Sequence, residues 1–115
     1  MRQLPLTAVR DLLGICRAMY AAKVRELAPA PVLDELQAIG EKLKHALKLG
    51  RTSPGSIGHK AAWAHAEDAT ARLMKLIHIE IPLAPTVEAA VVRIRRIERG
   101  PNEREERRAA NKIRS

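Results

Sequence analysis

The chain has 115 residues and a hydrophobic fraction of 46%, which suits one domain with a single core and excludes wholesale disorder. Aromatic residues make up only 2% of the sequence, and the sole cysteine, Cys16, excludes an internal disulfide. The net charge is +8. No apolar stretch approaches the ~20 residues of a membrane span, so we expect a cytosolic protein without membrane contacts.

The first predicted helix covers residues 8–27. Thr7 is its predicted N-cap, and Pro29 ends the segment because the residue before a proline avoids helical angles. Its apolar residues recur at steps of three and four, which places them on one stripe of an α-helix. The stripe consists of Val9, Leu12, Leu13, Cys16, Met19, Tyr20, Val24 and Leu27. We interpret Cys16 as a small core residue, since a reactive thiolate needs exposure and a basic neighbour.

The second predicted helix covers residues 31–49. Pro31 suits the first helical position, and Gly50 is a natural C-terminal stop. Gly40 lies inside this helix, where a glycine costs about 1 kcal/mol relative to alanine, and it indicates a close contact with another helix.

The third predicted helix covers residues 54–79. Ser53 or Ser56 is its predicted cap, and the small alanines along one side favour close approach of a partner helix. Two interpretations stay open for residues 76–82. Their alternation of isoleucine with polar residues is typical of a strand, whereas the favoured interpretation ends the helix by about residue 79 and continues in an extended connector.

The fourth predicted helix covers residues 87–99, with Thr86 as its cap and Gly100 as its stop. Residues 103–113 then carry acids first and bases last, which matches a helix dipole, but they contain almost nothing apolar to bury. The sequence therefore predicts an all-α, four-helix bundle-like domain over residues 1–100 and a charged helical C-terminal extension over residues 101–115.

The basic excess is concentrated towards both ends of the sequence. Residues 1–28 supply +3 of the net charge and residues 85–115 supply +4. Such clusters attract polyanions, so we predict contacts with a nucleic-acid backbone without readout of base sequence. The predicted contact residues are Arg93, Arg96, Arg99, Arg104, Arg107 and Arg108. The alternative is a solvated face on which these arginines form local ion pairs with neighbouring glutamates.

The loop before the third helix is a second candidate anion site, because free amides at a helix N-terminus attract anions. The surrounding residues are Arg51, Ser53, Ser56, His59 and Lys60. An ordinary capped turn is the alternative. A P-loop is excluded, since no lysine stands between Gly55 and Ser56 and the loop follows a helix rather than a strand.

Catalysis, metal binding and cofactor binding find no support in the sequence. The histidines are His45, His59, His65 and His78, and no two are three or four residues apart, so no helix face presents a metal pair. No nucleophile and base can be matched, so we predict a non-enzymatic protein without metal or cofactor. A helix–turn–helix alignment fits poorly, because residues 50–58 are too long for its turn.

Two function classes follow from these patterns. The favoured hypothesis is a small accessory subunit, homo-oligomeric or part of a larger assembly, that binds a nucleic-acid phosphate backbone. Trp63 and Tyr20 are too few to build a platform for base stacking, so contacts with phosphates are expected instead. The alternative is a helical adaptor or regulator that docks partner helices through apolar faces and uses its charge for solubility.

Overall fold

The structure is a computed structural model that describes residues 2–78 and 86–98, with side chains for 2–78 and 86–97. It contains four helices: α1 (Leu6–Arg25), α2 (Ala30–Leu49), α3 (Ile57–Leu76) and α4 (Val87–Glu98). These helices pack around one apolar core, and the described residues form no strand. The predicted all-α, four-helix bundle-like fold is therefore confirmed. None of the described helices is long and apolar enough to cross a membrane.

Contacts between successive helices show how the bundle is arranged. The Cys16 thiol of α1 donates a hydrogen bond to the carbonyl of Leu36 in α2, whereas the end of α2 lies near Leu6 at the start of α1. The two helices are therefore antiparallel. Lys42 of α2 pairs with Asp68 of α3, so α3 returns beside α2, and α4 packs against α1 and α3.

The core is built from aliphatic side chains of all four helices and of the segment before α1. Its largest fully buried members include Leu4, Leu12, Leu36, Ile39, Leu43, Leu73 and Ile94. Ala62, Ala66 and Ala69 lie along the buried face of α3 and have no exposed surface. Because their side chains are small, α3 can pack closely against its neighbours, as the alanine pattern predicts.

Two predicted helix starts are wrong. α1 begins at Leu6 after Pro5, so Thr7 lies inside the first turn, and no side chain caps this helix. α3 begins at Ile57 rather than 54, because Gly55 has a φ of 89°, which a right-handed helix cannot contain. Of the two candidate caps of α3, Ser56 is the one used: its hydroxyl accepts the His59 N–H at 3.2 Å.

Two predicted helix ends are also too long. α1 ends at Arg25, since Leu27 has a φ of 56° and the amides of Leu27 and Ala28 donate back to the carbonyls of Val24 and Lys23. This pattern is a Schellman turn with leucine where glycine is usual. α3 ends at Leu76, because His78 has a φ of 55°. Leu76 to His78 are thus a helix end and turn, and residues 79–82 lie outside the described residues.

The predictions for α2 and α4 agree more closely with the structure. Pro31 lies in the first turn of α2, and Gly50 is its C-cap. The Thr86 hydroxyl caps α4 by accepting the Ala89 N–H at 3.2 Å. Arg99, Gly100 and the predicted extension over residues 101–115 lie outside the described residues.

Candidate nucleic-acid interface

One end of the bundle is closed by the segment that precedes α1. We call it the loop end; it comprises the starts of α1 and α3, the end of α2 and residues 50–56. Leu4 is only 1% exposed, and its N–H donates to Nε2 of His59 at 2.9 Å. The indole N–H of Trp63 donates to the carbonyl of Arg2 at 2.8 Å. These contacts fasten residues 2–4 across the first two turns of α3.

Gly50 lets this segment approach the end of α2. Its φ is −67°, so its backbone does not require glycine. A Cβ atom there would lie 2.8 Å from the Ala46 carbonyl oxygen and 2.8 Å from methyl groups of Leu4 and Leu6. The need for glycine therefore comes from packing, and the sequence-based interpretation of Gly50 as a simple helix stop is incomplete.

His59 belongs to the core and not to the surface of the loop end. Its side chain has no exposed area, and its Nε2 atom accepts the Leu4 N–H, so the neutral ring carries its proton on Nδ1. A buried imidazole cannot reach an external phosphate. The side chain of His59 is therefore not available for the predicted anion contact. The sequence does carry a signal: His59 precedes Ala62 and Ala66 by three and seven residues, which places it on the buried face of α3.

The other predicted residues of this loop divide into two groups. The Ser56 hydroxyl donates to Oγ1 of Thr52 at 3.2 Å and also caps α3, so the turn itself uses this side chain. Arg51, Ser53 and Lys60 are exposed. All three side chains are accessible to an anion in solution. In sequence, Arg51 precedes the N-terminus of α3 and Lys60 follows it.

α4 brings further arginines to the same end. Arg95 pairs with Asp11 in the second turn of α1, with its guanidinium nitrogen 2.9 Å from Oδ2. Arg93 and Arg96 are exposed and form no ion pair within residues 2–78 and 86–97. Of the predicted backbone-binding arginines, the structure thus places two on α4. The rest, Arg99, Arg104, Arg107 and Arg108, lie outside the described residues.

Two basic residues of the loop end were not in the predicted set. Arg10 in α1 and Lys48 in α2 are exposed and likewise have no carboxylate partner within the described residues. They are far apart in sequence and lie at the same end of the bundle only because α1 and α2 are antiparallel. A search for clusters along the chain could not have found them.

Away from the loop end, several charges form ion pairs, although Arg17, Arg25 and Lys75 are exposed and have no carboxylate partner among the described residues. Arg72 of α3 pairs with both Glu35 and Asp68, and Lys42 of α2 lies 2.7 Å from Oδ2 of Asp68. The hydrogen bond from Lys42 lowers the pKa of the Asp68 carboxyl, and the charges of Lys42 and Arg72 lower it further. Lys23 and Glu26 form another pair at 3.0 Å. The Arg72–Glu35 and Lys42–Asp68 pairs join α2 to α3.

The described part of the chain assembles no metal centre. Its His, Cys, Asp and Glu side chains form no group of three or more that could hold a metal ion. Cys16 is buried, as predicted, and burial raises the pKa of its thiol. The sequence matches no family model, and the comparisons found no similar curated protein and no similar solved structure.

Proposed function

We propose that this chain is a small non-enzymatic accessory subunit that binds the phosphate backbone of a nucleic acid at its loop end. The proposal rests mainly on the distribution of ion pairs. At the loop end, six exposed cations have no carboxylate partner among the described residues, whereas its two described acids, Asp11 and Glu88, are already paired with Arg95 and Arg2. The unpaired cations are Arg10, Lys48, Arg51, Lys60, Arg93 and Arg96.

Backbone contact suits these residues better than base recognition. Arginine and lysine contact phosphate oxygens of any sequence, and their affinity depends on counterion release. Trp63 is half-buried and its N–H is bound to the Arg2 carbonyl, so it offers no platform on which bases stack. We therefore expect weak discrimination between sequences.

The C-terminal extension completes the proposal from the sequence alone. Arg99, Arg104, Arg107 and Arg108 follow α4, whose Arg93 and Arg96 belong to the proposed interface. We propose that they extend the same phosphate contacts. A cytosolic location and assembly as a homo-oligomer or within a larger complex also remain proposals.

Equilibrium binding of the full chain to duplex and single-stranded DNA and RNA tests the function. Affinity should fall steeply between about 50 and 200 mM salt, because each phosphate contact releases counterions. The variant Arg93→Gln/Arg96→Gln should bind more weakly with a shallower salt dependence. Its matched control, Arg25→Gln/Lys75→Gln, removes the same charge from exposed residues at the other end and should bind like the parent chain.

The adaptor hypothesis makes the opposite prediction for this assay. An adaptor that uses its charge only for solubility binds little nucleic acid even at low salt. Absence of binding at 50 mM salt to all these nucleic acids would therefore reject the proposed function.

A further inference from the structure

A groove between α1 and α2 has features that the proposed interface does not use. A cavity of about 250 Å³ opens there, lined by the buried residues Leu13, Cys16 and Leu36 and by Gly40. Exposed side chains of both helices, among them Arg17 and Lys44, border it. The groove therefore combines an apolar floor with a charged rim.

Gly40 lies in the floor of this groove, although the packing of α1 against α2 does not require a glycine there. A Cβ atom at Gly40 would meet only Leu13 Cδ1, at 3.9 Å, which is an ordinary contact. The close helix–helix approach predicted for Gly40 is therefore wrong, since alanine would fit. Glycine costs about 1 kcal/mol of helix stability here. Its structural result is a depression in the groove.

The apolar surface continues along α1 beyond the cavity. Tyr20, Val24 and Leu27 are 36%, 44% and 89% exposed, and they follow one another at steps of four and three residues. Tyr20 and Val24 lie one turn apart on α1, and Leu27 follows in the turn that ends the helix. Leu27 is the most exposed of them and has a left-handed φ of 56°, which is rare for a bulky residue.

The charges beside the groove select the sign of its occupant. Arg17 has no carboxylate partner among the described residues, and the rim acid Glu41 is paired with Lys44 at 3.3 Å. Arg10 and Arg25, the other basic residues of α1 without a described partner, are also exposed. A partner helix with carboxylates flanking its apolar stripe would neutralise this rim, whereas a basic helix would be repelled.

We propose that the α1–α2 groove binds an acidic amphipathic helix of a partner protein. One large apolar side chain of that helix occupies the depression over Gly40, and its next apolar residues contact Tyr20, Val24 and Leu27. A carboxylate beside its apolar stripe pairs with Arg17. Lys48, Arg51 and Lys60 do not line this cavity, so the proposal does not rest on nucleic-acid binding.

A displayed library of helical peptides of about 15 residues, the number of residues from Leu13 to Leu27, provides the probe. Three apolar positions are fixed at i, i+4 and i+7, all flanking positions are random, and the full-length chain is the target. Selected peptides should be enriched in Asp and Glu beside the apolar stripe. A synthetic copy of the strongest peptide should perturb backbone NMR signals of residues 13–27 and 36–44.

Matched glycine variants test the depression. Gly40→Met fills it and should weaken the selected peptide by at least about tenfold. The control Gly14→Met makes the same change on the exposed side of α1, where a Cβ atom meets nothing within 4 Å, and should leave affinity unchanged. Gly40→Ala should raise the melting temperature while weakening the peptide, which separates loss of binding from loss of folding.

Charge reversal distinguishes this site from the nucleic-acid interface. Arg17→Glu should weaken the acidic peptide but not nucleic acid, and Lys60→Glu should do the reverse. No enrichment of acidic residues, or equal binding to Gly40→Met and the parent chain, would overturn the proposal. So would a self-association that Gly40→Met abolishes, because a second copy would then occupy the groove.

Discussion

At the loop end, Arg10, Lys48, Arg51 and Lys60 are exposed without a carboxylate partner in the described structure, whereas towards the other end Arg72 bridges Glu35 and Asp68. The same residue types therefore have different surroundings in one small bundle. Ion pairs join α2 to α3 in one region, and the other region, the proposed interface, holds cations without a described carboxylate partner. The net charge of +8 does not show this difference, because it is the sum over the whole chain.

The two ends also differ in how they are closed. The loop end is sealed by Leu4, whose side chain is buried and whose amide binds His59. At the other end, the helix connection after α1 leaves Leu27 in solvent with a left-handed backbone. We infer that the cationic surface stands on a well-packed base, which positions the backbone that carries its side chains.

Among the variants that test this comparison, the one that removes the Leu4 side chain should have the largest effect on the free energy of unfolding. Leu4→Ala leaves a cavity in the core, so we expect the free energy of unfolding to fall by about 3 kcal/mol. Leu27→Ala is the matched control, and it should change stability little because Leu27 is 89% exposed. Urea denaturation of both variants measures the difference. Similar losses in the two would show that the loop end is not the better packed region.

The substitution Gly50→Ala should have the next largest effect on stability. Gly50→Ala forces Leu4 and Leu6 to move, and we expect a loss of about 2 kcal/mol. Gly40→Ala, in the same helix, should instead raise stability by up to about 1 kcal/mol. Thermal unfolding should therefore shift in opposite directions for these two substitutions. A shift of the same sign in both would contradict the packing described for α2.

Glycine at position 27 should stabilise the opposite end. Leu27→Gly removes the steric cost of a left-handed leucine and loses little packing, so we expect a gain of about 0.5–1 kcal/mol after the greater flexibility of the unfolded chain is included. Leu27→Ala does not relieve the backbone and serves as the comparison. The denaturation midpoints of the Leu27→Gly and Leu27→Ala variants measure this difference in stability. No gain in the glycine variant would mean that the turn after α1 is held differently.

The smallest expected effect concerns the ion pairs between α2 and α3. Lys42→Ala should raise the pKa of Asp68 towards its ordinary value of 3.8, which NMR titration of the carboxyl measures. Because folding lowers this pKa, the pair stabilises the protein above pH 3.8 and its contribution is lost as the pH falls below that value. Arg25→Ala, which removes an unpaired cation, should leave the titration of Asp68 unchanged.

Local patterns in the sequence predicted the elements well and their ends less well. Apolar periodicity places all four helices, because each must bury one stripe against the others. The ends of α1 and α3 depend on left-handed residues at Leu27 and His78. Histidine is one of the non-glycine residues enriched in that conformation, whereas leucine is rare in it, so residue preferences give no warning of the turn after α1.

The candidate interface was predicted only in part, for a different reason. Arg93 and Arg96 belong to one dense charge run, and Arg51 and Lys60 surround one loop, so the sequence alone brings them to notice. Arg10 and Lys48 join them through the antiparallel packing of α1 and α2. The pairing of Arg95 with Asp11 likewise needs tertiary structure, because 84 positions separate residues 11 and 95.

The salt dependence of nucleic-acid binding by two double variants tests the central claim most directly. Lys48→Gln/Arg51→Gln removes two charges from the loop end, and Arg25→Gln/Lys75→Gln removes two from the other end. Each lost phosphate contact lowers the slope of log affinity against log salt by about 1. We predict that the first variant loses about 1–2 units of slope while the second retains the parent slope. Equal slopes in the two variants would contradict an interface at the loop end.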